Sequence, residues 1–216
     1  MAIEFKAVGN SARSGISVGD LVPASVNKRG ELVAMPWAVQ LAAEGRVFSA
    51  GGGTESTPVT GGNTVVDLDQ PEFLLRVPAG TAIVPLHIHF LFEATGGTIA
   101  EGGASIADND PGSGTSTAAD RTPKGLSTIS AGSACTAAQL VTANLTLTNN
   151  REIWRFGEPT DLDATNSNNG FEWSYLKNPP MVLYGPAALL VYGVAGTSST
   201  FYVTVTWAEF LTSDLK

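Results

Sequence analysis

Charge is scarce in this chain. Only 15% of its 216 residues are Asp, Glu, Lys or Arg, well under the quarter usual in globular domains. A surface so short of charge is either rich in Gly and Thr or covered by something else. Basic residues are the scarcer kind: 12 Lys and Arg stand against 20 Asp and Glu, a net charge of −8. That balance repels nucleic-acid phosphate, and the pair Lys28-Arg29 is the nearest thing to a basic cluster, so direct genome or RNA binding is not expected. Cysteine is nearly absent. Cys135 stands alone, which excludes an intrachain disulfide, and with no base beside it in sequence it reads as a passive thiol.

Long hydrophobic runs are missing too. None approaches the roughly 18 apolar residues that span a bilayer, so no membrane insertion is expected. Residues 1–15 carry no apolar segment after a basic start, unlike a secretory signal. The expectation is a soluble protein made in the cytosol. Catalytic signatures are absent as well: no G-x-S-x-G elbow, no P-loop, no G-x-G-x-x-G after a strand, no H-E-x-x-H. The reading is a protein that is not an enzyme.

What is present is strand. Phe201 to Leu211 places Phe201, Val203, Val205 and Trp207 on one face and Thr204 and Thr206 on the other. That is the period of two of a half-buried strand. Further strand-like segments are Ile3–Val8, Glu31–Met35, Arg46–Ala50, Thr64–Leu68, Glu72–Val77, Ala82–Glu93, Thr98–Ile106, Leu140–Thr148, Ile153–Phe156, Phe171–Leu176, Met181–Tyr184 and Ala188–Val194. Clusters of Gly, Pro, Asn and Asp punctuate them, as in an all-β sandwich or barrel. Leu140–Thr148 alternates most cleanly inside the chain. The run Leu189 to Tyr192 is apolar on both faces and predicts a strand covered on both sides. Trp37–Glu44 fits a helix opened by Pro36 and closed by Gly45, although Val33 to Ala50 also reads as two strands. Residues 107–137 are small and polar and predict a long loop. Residues 1–216 read as one domain, with 1–15 a candidate N-terminal arm: a strand followed by a Gly- and Ser-rich hinge.

Three groups could carry chemistry. His87 and His89 share a face with Leu91 and Glu93, opposite Val84, Leu86, Ile88, Phe90 and Phe92. A His-x-His pair on one face can bind a metal. The stretch from Gly80 through His87-Ile88-His89 to Glu93 resembles the first cupin motif, with one residue too many after the Gly. The second cupin motif needs another His, and the chain has no other. The preferred reading is two imidazoles on a solvent-facing or subunit-facing sheet surface. In the second group, Asp161, Asp163, Thr165, Ser167 and Glu172 follow the ligand spacing of an EF-hand calcium loop, with Asn166 where Gly is usual. The plainer reading is an Asx-rich loop that bonds its own backbone. Asp108-Asn109-Asp110 is a smaller acidic cluster. In the third group, Trp154, Phe156, Trp173 and Tyr175, near Glu152, Glu158, Glu172 and Glu209, could line a sugar groove. The commoner fate of such aromatics is a sandwich core.

The segment Arg76 to Pro85 leading into a long strand, the turn Pro179 to Pro186, and the closing strand to Phe210 together resemble the single jelly-roll structural proteins of viruses and phages. The resemblance is architectural and spans about Arg46 to Leu211. It implies a jelly-roll-like antiparallel β-sandwich with long Gly/Ser/Thr-rich loops, acting as a capsid-shell, decoration or fibre subunit. Such a protein would be found in the virion, be made in the host cytoplasm, and have copies of itself and other virion proteins as partners. No cofactor beyond the candidate calcium is implied. A carbohydrate- or small-ligand-binding sandwich, lectin-like or cupin-like, is the alternative.

Overall fold

The computed structural model describes residues 36–61, 63–94, 100–119, 121–157, 170–195 and 199–215. Among the described residues one short α-helix, α1 (Trp37–Ala43), precedes thirteen strands. They are β1 (Val47–Gly52), β2 (Val59–Thr60), β3 (Phe73–Val77), β4 (Thr81–Ala94), β5 (Glu101–Ala107), β6 (Thr117–Ala118), β7 (Arg121–Gly125), β8 (Thr136–Gln139), β9 (Arg151–Gly157), β10 (Gly170–Ser174), β11 (Leu183–Tyr184), β12 (Ala187–Val194) and β13 (Thr200–Leu211). The helix forms where the Pro36 start and Gly45 stop place it, with Gly45 at φ +74°. The expected strands Ile3–Val8 and Glu31–Met35, and the 1–15 arm, lie outside the described residues.

All pairings are antiparallel, in two sheets that form an all-β sandwich. The first sheet runs β10-β4-β13-β1-β7, with β11 added to β4 and β2 to β13; the second runs β6-β8-β3-β12-β5-β9. Set aside the short β2 and β11 and the β6–β8 excursion, and eight strands remain. Their pairing nests: first with last (β1–β13), second with seventh (β3–β12), third with sixth (β4–β10), fourth with fifth (β5–β9). This is a ribbon folded back on itself and wound into two layers, closed by β4–β13 and β5–β12.

The space between the sheets is filled by alternate residues of each strand. Phe201, Val203, Val205 and Trp207 of β13 point in, as their period predicts, against Leu189 and Val191 of β12 and Phe73, Leu75 and Val77 of β3. Aromatic rings knit the layers together. Phe90 of β4 lies 5.8 Å from Phe156 of β9, ring centre to ring centre, and Phe156 stacks on Phe171 of β10 at 4.2 Å. Gly193 lies under Phe90, so close that an added Cβ would run into the ring.

A bulge changes the expected facing of β4. Thr206 pairs with His87 but Trp207 pairs with Pro85, which leaves Leu86 as the extra residue. Proline cannot donate to the ladder, and bulges are where a sheet tolerates it. Val84 and Leu86 therefore lie on the outer face, in a cluster with Leu41, Val47, Ala82, Ala208 and Phe210 beneath α1. Only Ile88, Phe90 and Phe92 enter the inter-sheet core. The five even residues are all buried, yet on two different faces.

Three other expectations are corrected. Residues 107–137 are not one long loop: β6, β7 and the start of β8 lie there, and they lengthen both sheets beside β1 and β3. Thr64–Leu68 forms no strand. Leu140–Thr148 forms none either, although Val141 and Leu145 are buried and Thr142, Thr146 and Thr148 exposed as the alternation predicts. Its amides bond to irregular backbone instead, Val141 N–H to Pro71 and Leu145 N–H to Asp69. It lies as a strap over the outer face of the second sheet, where Val141 and Leu145 cover Leu74, Ala188, Leu190 and Tyr192. The two-sided apolar run of β12 is thus covered on both sides by this chain itself.

Trp207 is fully buried, so Trp207→Ala is expected to cost about 3–5 kcal/mol in denaturant unfolding. Gly193→Ala, which adds only a methyl, is expected to destabilise as well, by about 1–3 kcal/mol, because Phe90 has to leave its packed position. A Gly193→Ala protein as stable as the parent would contradict this packing.

Candidate functional site on the outer face of the first sheet

Beyond the α1 cluster, the outer face of the first sheet turns polar. Strand register sets the rows. Ser174, His87, Thr206, Ser49 and Lys124 form one rung, and Glu172, His89, Thr204 and Gly51 the next. The bulge at Leu86 brings the histidines to this face. Their rings lie nearly parallel, 6.2 Å between centroids. Glu172, on the neighbouring strand, approaches His87 Nε2 at 3.6 Å and takes an ion pair from Lys177. Two groups that the sequence leaves separate, the His pair and the last residue of the candidate calcium loop, therefore meet.

The electrostatics follow from this placement. Partial burial and the nearby His87 both disfavour a charge on His89 and hold its pKa below the usual imidazole value, while Glu172 opposes them. The Lys177 ammonium, then His87, holds the Glu172 carboxyl below the usual range. Glu93 shares the strand but not the cluster; it accepts from Thr200 Oγ1 at 3.3 Å.

Asp161, Asp163, Thr165 and Ser167 lie outside the described residues. Among the described residues no three imidazole, thiol or carboxylate groups are placed to hold a metal ion together. Asp108 and Asp110 serve as anchors, each taken by an arginine: Arg151 Nη2 at 2.6 Å and Arg76 Nε at 2.6 Å. Asn109 between them accepts from Thr148 N–H and donates to the Thr146 carbonyl, which pins the 140–148 strap.

The aromatics that could line a sugar groove are spent on packing. Trp173 and Phe156 are buried in the core, Trp154 packs against it, and Tyr175 meets Trp37 edge-on. The carboxylates near them are engaged: Glu152 by Arg155, and Glu209 by Trp207 Nε1 at 2.8 Å, Ala134 N–H at 3.0 Å and Ser133 Oγ. Glu158 lies outside the described residues. Beside Glu209 a cleft of about 180 Å³ opens between Arg46, Thr81 and Leu211. Arg46 there is bound to Asp214 at 2.7 Å and sits over the Phe210 ring. Cys135 is buried, and burial with the Glu209 charge pushes its thiol pKa far up, so it stays protonated and unreactive. Sequence reading missed Glu209 as an anchor and Leu86 as a bulge. Pro85 inside a strand is the signal for the second.

Comparison with known proteins finds no family model and no characterised sequence that matches this chain.

His89 is expected to titrate below about 6.5 in an NMR pH series, with Glu172→Gln moving it lower still, since the carboxylate is what raises it. A depressed histidine contributes stability that is present above its unfolded pKa and is lost as pH falls from there through the lower folded value. The melting temperature should therefore carry a His89-dependent decline on acidification, which His89→Asn removes. For the candidate calcium loop, the ion would have to draw Glu172 from Lys177. Equal melts with and without chelator are expected, and a chelator-induced drop that Asp161→Ala abolishes would establish the site.

Proposed function

We propose that this chain is a jelly-roll structural protein of a virus or phage particle, a capsid-shell or capsid-decoration subunit that works by assembling with copies of itself. The observation that carries the reading is the nested pairing of eight strands across two sheets. Such a double-sheet roll is used by viral capsid proteins, and also by lectins and cupins. The two ligand-binding uses need groups that this chain commits elsewhere. Its aromatics near the carboxylates are packed inward, and its His pair is turned outward beside Glu172 and Lys177.

The surface supports assembly. Few charges are available to keep molecules apart, and several large apolar side chains are exposed: Trp37, Val39, Leu176, Val182, Tyr184 and Leu211. Tyr184 and Leu211 flank the start of β4, and Trp37 packs on Tyr175, so part of the exposed apolar surface gathers near the α1 end of the first sheet, while Val65, Leu68, Leu126 and Ile129 are exposed elsewhere. Interfaces between subunits are depleted of charge and enriched in aromatics at their core. A net charge of −8 suits a subunit whose partners are protein rather than genome. In this reading the protein resides in the virion, after synthesis in the host cytoplasm, and catalyses no reaction.

Light scattering and electron microscopy across micromolar concentrations test it. Symmetric oligomers, rings or particles are expected, weakened by deletion of residues 1–15. A strictly monomeric species, unchanged by that deletion and absent from particles in its native source, would overturn the reading and favour a glycan- or ligand-binding sandwich, for which a glycan array is the next measurement.

A further inference from the structure

Glu72 is the one acidic side chain among the described residues that is buried. It stands where the β3–β12 ladder ends: the last pair is Phe73 with Val191, and two residues on, the Gly193 N–H donates to Glu72 Oε2 at 2.8 Å. The other oxygen, Oε1, faces the Asn63 N–H at 3.4 Å. The Glu72 main chain joins the same junction, its carbonyl accepting from Leu140 N–H at 3.0 Å. One residue therefore links β12, the strap before β3 and the strap 140–148.

Those straps cover the outer apolar face of the second sheet. Val66 comes from the first, and Val141, Leu145 and Leu147 from the other, over Leu74, Leu190 and Tyr192. The Tyr192 hydroxyl bonds the Leu68 carbonyl at 2.7 Å, a second tie on the first strap.

We propose that Glu72 is a proton-controlled latch: protonated, it lets both straps close over the second sheet, and its ionisation loosens them and opens that apolar face. The chemistry is a competition. Burial favours the neutral acid, and three backbone amides, those of Gly193, Asn63 and Glu72 itself, favour the carboxylate. Burial prevails, and the carboxyl pKa rises to about 7. The charged group acting on Glu72 is Asp67, from the first strap, which raises the pKa further. From β12 the facing titratable group is Tyr192, whose pKa is itself lifted to about 12 by burial and by the Glu72 and Asp69 carboxylates. Among the described residues, none of the groups acting on Glu72 is a cation that could stabilise its ionised form. For an acid whose folded pKa is raised, stability is fully present below the unfolded value of 4.5 and is lost as pH rises through about 7.

Hydrogen exchange by mass spectrometry on the full chain tests this, with protection corrected for the intrinsic pH dependence of exchange. Peptides covering 140–145 should lose at least about tenfold in protection between about pH 5.5 and about pH 8.5, while peptides of β4 and β13 hold theirs. Glu72→Gln should keep the straps protected across the range. Asp67→Asn should move the transition to lower pH and decides the matter if the Gln variant does not fold. Flat protection in the parent, an undiminished loss in Glu72→Gln, or an unmoved midpoint in Asp67→Asn would overturn the latch.

Discussion

The ladder between β4 and β13 is the constraint on which the rest depends. Twelve residue pairs join them, from Thr200 with Ala94 to Leu211 with Thr81. Both strands are central in their sheet, so each also holds other strands: β13 carries β1 and β2, β4 carries β10 and β11. Long-range antiparallel pairing of this kind gains its free energy only after a large loop has closed. The compensation is apolar. Phe201, Val203, Val205 and Trp207 are all essentially inaccessible, and each such side chain is worth roughly 1.5–3 kcal/mol on burial.

Of the two extra residues in that ladder, Glu93 and Leu86, the second decides what the surface offers. Without Leu86 as a bulge, β4 would keep one phase, and His87 would have to share a face with Ile83, inside the core. The bulge lets Ile83 point in at one end and Ile88 at the other, while Val84, Leu86, His87 and His89 all face out. An apolar seat for α1 and a polar His, Ser and Thr surface thus adjoin on one side of one strand.

Patterned strands were legible in the sequence, and the reasons for the exceptions are physical. Period two reports which side chains are buried and says nothing about where the amides bond. Leu140–Thr148 has the burial of a strand because it lies on a sheet, but its partners are Pro71, Asp69, Thr115 and Asn109 rather than a neighbouring strand. β6, β7 and β8 have the opposite character. They pair as strands, yet small and polar residues dominate them: β6 and β7 are edge strands, which need no apolar alternation, and β8, between β6 and β3, buries only Ala138 and Gln139. The continuous apolar set of β4 concealed its bulge, since every even position is buried whichever face it takes. Of the candidate site, the residue types were legible and the cross-strand partner was not. That Glu172 lies beside His87 depends on the register of β10, which no local pattern encodes.

The two outer faces of the sandwich are finished in different ways, and this bears on where partners can act. On the second sheet the chain covers its own apolar surface with two straps. Arg76 with Asp110 and Arg151 with Asp108 hold the strap edges, but the first pair is partly exposed and the second more so, and solvent-exposed pairs contribute little. The buried Glu72 and Tyr192 bonds, with the Val141 and Leu145 packing, must supply most of the hold. On the first sheet no strap of the described residues crosses the face: its middle is polar, and among those residues its apolar end is covered by a helix of seven residues that leaves Trp37 and Val39 exposed. A helix that short has little stability of its own in water. Contact with a further apolar surface would bury Trp37, Val39 and Leu176 and fix α1 at the same time. In the proposed assembly, the α1 end of the first sheet is therefore a contact that gains twice, by burying apolar side chains and by fixing the helix.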